Sequence, residues 1–345
     1  MVCVTDDNRP YFHHLNHHDK LDMFNEDRRS RNKFPWTSSA MRNPQARDLP
    51  HDWISQHAND SLLEEEFHTD GFVGMESEEW LKRACSRRDP FFLQVNFHGP
   101  HDPYDPPALW AETFRDADVP PAIPPSEQPI ACQTSHFASD HAPSIKQARR
   151  QYTAVTSMID HRIGRLLDIL KSHGKLENTL IIFASDHGDL LGDFGLFTKG
   201  VPYDGCLRVP MMMTGPGIPA GETSHAIIEL ADLYPTILEM TGIPAPPHLT
   251  STSFVPVIKK EETNIRNEAL AMQDYFVCLR SDNWKYILYV DGTEEFYDLA
   301  SDPEERKNMI SSISGTAQYQ QVKTRLRKRI GTTWAGAKPD WWDQM

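Results

Sequence analysis

The residues best equipped for chemistry fall in two short stretches. Ser185-Asp186-His187-Gly188 sets a carboxylate and an imidazole beside a glycine, straight after the apolar run Leu180-Ile181-Ile182-Phe183. A carboxylate suits a hard divalent cation, imidazole is a common metal ligand, and glycine lets backbone or ligand approach closely. Taken alone, Asp186 would serve equally as a helix cap or a loop hydrogen-bonding group. Lys199 follows in Lys199-Gly200-Val201-Pro202-Tyr203-Asp204-Gly205. Its ammonium is a point charge on a flexible stem, suited to an anionic oxygen, although a lone lysine in a glycine-rich loop is ordinarily solvated. The second stretch, Phe97-His98-Gly99-Pro100-His101-Asp102-Pro103, offers two imidazoles able to transfer a proton near neutral pH. Arg208 can bind an anion or pair structurally with Asp204.

Such groups need strands and helices to aim them. An apolar run that ends in polar groups predicts a buried strand over 180–183, with its ligands at the C-terminal end. Phe91–Phe97 predicts a second strand, ending at His98, and Val209–Met213 a third. Between the first two lies the clearest helix, 147–171, with Tyr152, Val155, Ile159, Ile163, Leu166 and Leu170 at three- and four-residue spacing and Gly174 placed to end it. Asp160-His161 sits inside that helix, where neighbouring side chains diverge, and reads as structural. Helices are also expected over His51–Glu66, which includes the glycosylation-like triplet Asn59-Asp60-Ser61, and from Ser77. Pro103–Pro129 reads as a surface loop. Beyond the proline-rich connector 244–256, short strands are expected at 269–272, 275–279, 284–290 and 295–299. A hairpin turn is expected at Asp291-Gly292 and a helical region from Asp302. That run of strands followed by a helix is a small α+β subdomain.

Taken together, S-D-H-G at 185–188, K-G-x-x-Y-D-G at 199–205, R-V-P at 208–210 and the His98/His101 stretch resemble the sulfatase family of alkaline-phosphatase-like hydrolases. The pattern W-K-Y…D-G…F-Y-D-L…D-P-E-E resembles that family's C-terminal region. The resemblance implies an α/β fold: a mostly parallel sheet sandwiched by helices over residues 1–245, and a small antiparallel α+β subdomain over 246–345. It implies hydrolysis of a sulfuric ester on a sulfated small molecule or carbohydrate. It makes Asp186 and His187 ligands of a divalent cation, calcium by resemblance, Lys199 a sulfate ligand and His101 a substrate-binding proton donor. Asp6-Asp7 resemble the family's adjacent metal-binding aspartates, although Tyr11-Phe12, Leu21 and Asp27-Arg28-Arg29 after them look more like its later helical region. The family's nucleophile word, C/S-x-P-S-R, and its G-K-W-H word occur nowhere in the sequence. The chain is therefore expected to lack an N-terminal portion and to be inactive alone. Phosphonate or phosphate monoester hydrolysis, or a non-catalytic anion- or partner-binding role, are the alternatives.

Composition narrows the classes. Lys+Arg total 35 against 49 Asp+Glu, a formal net charge of −14, which argues against a nucleic-acid surface. No apolar run reaches the ~18 residues of a membrane span, and Met1–Pro10 lacks the form of a signal peptide. Five scattered cysteines suggest neither a disulfide framework nor a zinc site. The histidines at 13, 14, 17 and 18 read as a solvated helix face rather than a metal site.

Overall fold

A computed structural model of the chain describes residues 11, 14, 15, 17–23, 57–124 and 142–333. Asp6-Asp7 and His13 lie outside the described residues. The chain divides into two compact units. The first comprises Met1–Ile123, Ser135–Thr179 and Asp189–Thr198; the second comprises Pro124–Thr134, Leu180–Gly188 and Lys199–Met345.

The first unit is helical among its described residues. Helix α1 (Thr69–Cys85) begins well before the expected Ser77. His68 supplies the cap through Nδ1, which accepts from Asp70 N at 3.2 Å, and Ser77 spends its hydroxyl on Val73 O, inside the helix. Gly71 and Gly74 leave room for neighbours. A Cβ would stand 1.7 Å from Glu65 O at Gly71 and 2.7 Å from Arg162 Cδ at Gly74. Helix α2 (Ala108–Phe114) lies inside the expected proline loop, because Pro106 and Pro107 precede it and none interrupts it. Helix α3 (Ala142–Ser172) follows its predicted stripe, with Val155, Ile159 and Leu170 buried. It ends as expected at Gly174, φ +63°, and Lys175 N reaches back to Leu170 O at 2.8 Å. α1 and α3 are joined through buried Glu78, which accepts from Arg165 Nε at 2.7 Å and Arg162 at 3.2 Å. Burial raises the pKa of Glu78, but the two guanidiniums outweigh it and hold the carboxyl below its ordinary value.

Two expectations for this unit change. Of the expected helix His51–Glu66, His57 is helical, but the described residues after it are not α-helix: Ser61 makes a bridge with Pro107, a short 3-10 turn spans Glu65–Phe67, and Asn59-Asp60-Ser61 is non-helical. Phe91–Phe97 is extended, with exposure alternating along it and Phe92 53% exposed, but it joins no ladder among the described residues. It has the periodicity of a strand with one covered face.

The second unit contains both described sheets. β1 (Ile181–Ala184) pairs antiparallel with β2 (Met211–Thr214). The predicted largely parallel sheet is thus represented among the described residues by one antiparallel pair. Helix α4 (Leu233–Met240) follows. The C-terminal subdomain is an antiparallel sheet in the order β3 (Ala269–Gln273), β4 (Phe276–Arg280), β5 (Trp284–Tyr289), β6 (Glu294–Asp298), followed by helix α5 (Ala317–Thr333). The Asp291-Gly292 turn forms as predicted, with Gly292 at φ +85° and Asp291 Oδ1 accepting from Thr293 N at 2.9 Å.

Alternation gives this sheet two unlike faces. Val277, Leu279, Tyr286, Leu288 and Phe296 pack with Val322 and Leu326 of α5. The other parity carries Arg280, Lys285, Glu295 and Tyr297. The helix expected from Asp302 starts later: Glu305 sits at φ +57°, buried, in a turn.

Candidate functional site

The structure places His101 in the first unit and Asp186, His187 and Lys199 in the second. In the first unit, the 98–105 loop hangs on Asp70 at the start of α1. Asp70 is 1% exposed, and its Oδ1 accepts from His98 N at 2.7 Å and Gly99 N at 3.0 Å. Gly99 is required there, since a Cβ would lie 2.5 Å from Val155 Cγ1 and 2.6 Å from Asp70 Oδ2. His101 is half-buried. Its Nδ1 lies 2.8 Å from Asp102 O and 3.2 Å from Asp102 Oδ1. Both partners are acceptors, which suits a proton on Nδ1. The His98 ring lies 5.1 Å from that of His101.

The same unit holds the glycine-rich loop 189–198. Leu191, Phe194 and Thr198 all have positive φ without being glycine, at 48°, 58° and 64°. Such residues cost on the order of 1–3 kcal/mol each and persist only where neighbours over-determine them. Asp189 does so here. Its Oδ1 accepts from Leu191 N and Thr198 N, both at 2.9 Å, and its Oδ2 from Tyr104 OH at 2.8 Å. Burial raises the pKa of Asp189, and burial with the adjacent carboxylates lifts the fully buried Tyr104 well above the ordinary phenol.

In the second unit, Ser185–Gly188 makes a tight turn off β1. Ser185 Oγ donates to His187 O at 2.7 Å, and His187 N donates to Asp186 Oδ1 at 2.8 Å. Gly188 N then donates to Cys206 O at 2.9 Å, and a Cβ at Gly188 would meet Gly205 O at 2.0 Å. The two words of the sequence are thus locked backbone to backbone, and only glycine fits at the joint. His187 Nδ1 lies 2.9 Å from Gly188 O, so its N–H is donated there, and Nε2 stands 3.7 Å from Asp186 Oδ2. The Asp186 side chain is 86% exposed. Carboxylate and imidazole, one open and the other oriented by its second nitrogen, fit part of a cation's shell. Calcium takes about six to eight oxygen ligands, and among the described residues no group of three or more His, Cys, Asp or Glu side chains is gathered. Lys199 is half-buried and Arg208 exposed. Asp204 does not pair with the Arg208 side chain: its carboxylate is taken by Arg280 at 2.9 and 3.0 Å and by Lys285 at 2.6 Å.

Sequence reasoning missed Asp70, Tyr104, Asp189, Arg280 and Lys285. Lys285 alone left a trace, as a charged residue in the otherwise aromatic and aliphatic strand Trp284–Tyr289.

Comparison with known proteins sets this geometry in a lineage. The sulfatase family model matches residues 12–243, and that of the C-terminal region of N-sulphoglucosamine sulphohydrolase matches 192–335. An arylsulfatase of Clostridium perfringens is 31% identical over 297 residues, covering 80% of this chain and 59% of that one. A choline-sulfatase of Rhizobium meliloti is 32% identical, with 72% and 51% covered. The chain thus spans between half and three-fifths of these relatives' lengths. A solved phosphonate monoester hydrolase of Silicibacter pomeroyi shares the fold at TM-score 0.74 and 18% identity, over 95% of this chain and 69% of that one. A protein solved with its substrate D-glucosamine-2-N,6-O-disulfate is 28% identical, at TM-score 0.54 over 58% and 43%.

Proposed function

The chain belongs to the sulfatase family, and from that premise we propose that it carries the anion-binding and part of the metal-binding machinery of a sulfuric ester hydrolase. The observation that carries this reading is the Gly188 joint, which fixes Asp186-His187 against the Lys199–Cys206 segment. Lys199 neutralises an ester oxygen. His101, acting as the imidazolium with Nδ1–H held by Asp102, hands its Nε2 proton to the leaving alcohol or phenol and is left as the neutral ring. Asp186 and His187 hold a divalent cation, calcium, which when bound polarises the ester oxygens. The substrate class is a sulfated small molecule or carbohydrate.

No C/S-x-P-S-R word stands in these 345 residues. Charge neutralisation without a positioned nucleophile leaves only unaligned water to attack. Turnover of a chromogenic aryl sulfate by this chain with added calcium is therefore expected to be negligible, while inorganic sulfate binds through Lys199. Robust turnover abolished by both His101→Ala and Lys199→Ala would overturn the inactivity and reveal an unrecognised nucleophile. The likeness to phosphonate monoester hydrolases supports a second reading, hydrolysis of phosphonate or phosphate monoesters, tested with an aryl phosphonate in the same assay. Sulfate binding that Lys199→Ala does not weaken would favour a non-catalytic role.

A further inference from the structure

Four residues of the 199–205 segment, Gly200, Pro202, Tyr203 and Asp204, are held from the C-terminal subdomain. Tyr275 OH donates to Gly200 O. Lys285 Nζ donates to Pro202 O at 3.0 Å. Tyr203 OH donates to Glu295 Oε2 at 3.0 Å. Asp204 takes Arg280 through both oxygens and Lys285 at 2.6 Å, and Asp204 N donates to Glu305 Oε2 at 2.7 Å. Lys285 also pairs with Glu305.

Two features mark this as more than packing. Arg280 and Lys285 are directly opposed across β4 and β5, and like charges so placed repel. Asp204 sits between them and resolves the conflict, so this side of the sheet is electrostatically incomplete without the segment. Lys285 is fully buried, and an ammonium has three N–H donors. Its Nζ donates to Pro202 O and Asp204, both on the segment, and pairs ionically with Glu305. Moving the segment would strip a buried ammonium of both hydrogen-bond acceptors.

We propose that Lys285, aided by Tyr275 and Arg280, is the positioning residue of the anion site: it fixes Gly200–Asp204 and thereby sets where Lys199 stands. The proposal deepens the reading of Lys199 as the sulfate ligand and rests on it. Lys285 acts on the segment and does not itself touch the ester.

The test uses the full chain with Tyr275→Phe, Lys285→Met, Lys199→Ala and, as a control on the apolar side of the sheet, Val322→Ala. Three quantities are read: Tm, the dissociation constant for inorganic sulfate by calorimetry, and the rate of tryptic cleavage after Lys199 relative to that after exposed Lys260. Loss of one hydrogen bond to Gly200 should weaken sulfate binding about three- to tenfold and speed cleavage after Lys199, with a fall in Tm no larger than that of Val322→Ala. Lys285→Met should do both more strongly, and should it fail to fold, Tyr275→Phe carries the test. Val322→Ala should lower Tm without changing sulfate affinity or the cleavage ratio. Wild-type cleavage and affinity in Tyr275→Phe, or an equal effect from Val322→Ala, would overturn the proposal. Faster cleavage together with sulfate affinity indifferent to Lys199→Ala would support the fixing of the segment and overturn the anion reading alone.

Discussion

Acid should loosen the second unit through one carboxylate. Asp204 is desolvated, which raises its pKa, but Arg280 and Lys285 outweigh burial and bring it from 3.8 down to about 2. A folded pKa below the unfolded one means stability that is fully present above pH 3.8 and lost as the pH falls towards 2. The difference of nearly two units corresponds to about 2–3 kcal/mol at about 1.4 kcal/mol per unit. Burial pushes Glu305 the other way, above its ordinary 4.5, so its ionisation opposes folding in a higher window, as the pH rises past 4.5. The two effects therefore separate on the pH axis. Urea unfolding followed by circular dichroism from pH 5 to 2.5 should show wild type losing most of this increment below pH 4. Asp204→Asn should lose it at every pH, with a total cost of about 3–5 kcal/mol near neutrality, because Arg280 and buried Lys285 keep their charges but lose their shared partner. An Asp204→Asn chain whose stability falls as steeply as wild type below pH 4 would refute the argument, since the titrating group would then lie elsewhere.

Two further substitutions probe the site's scaffolding. Gly188→Ala places a methyl 2.0 Å from Gly205 O, so it should either abolish soluble expression or displace the joint; a wild-type Tm with unchanged sulfate affinity would contradict the close contact. Tyr104→Phe removes one of three donors from Asp189 and should cost about 1–3 kcal/mol in urea unfolding. The loss should shrink as the pH falls, because burial makes Asp189 take up its proton more readily than an ordinary carboxylate and the neutral acid has less need of the donor.

Much of the frame was legible because its periods are strong. Helix α3 carries an apolar stripe over many turns, and β3–β6 are short strands punctuated by turn residues, including Asp291-Gly292. Local signals failed where tertiary partners decide. The start of α1 depends on His68 as a cap and on glycines chosen by Glu65 and Arg162, which no local pattern announces. Asp302-Pro303-Glu304-Glu305 has the composition of a helix start, yet Glu305 turns inward to meet Lys285, an ion pair twenty residues apart in sequence. At the site, the words in the sequence marked the groups equipped to touch a ligand: Asp186, His187, Lys199 and His101. Of the groups that hold the loops around them, Asp70 has no word of its own, and Lys285 stands in W-K-Y without its partners being announced, because a buried charge is defined by its partners.

The clamp on residues 200–204 also fixes when the segment can take its shape. Its anchors, Tyr275, Arg280, Lys285, Glu295 and Glu305, all come later in the chain. A ribosome adding ~5–20 residues per second reaches Glu305 roughly 5–20 seconds after Asp204. Throughout that interval Lys199 and its neighbours have been made but the surface that shapes them has not. The 199–205 segment is therefore among the last parts of the second unit to mature, and a stall in synthesis between Asp204 and Glu305 would release a chain whose chemical groups are present and unassembled.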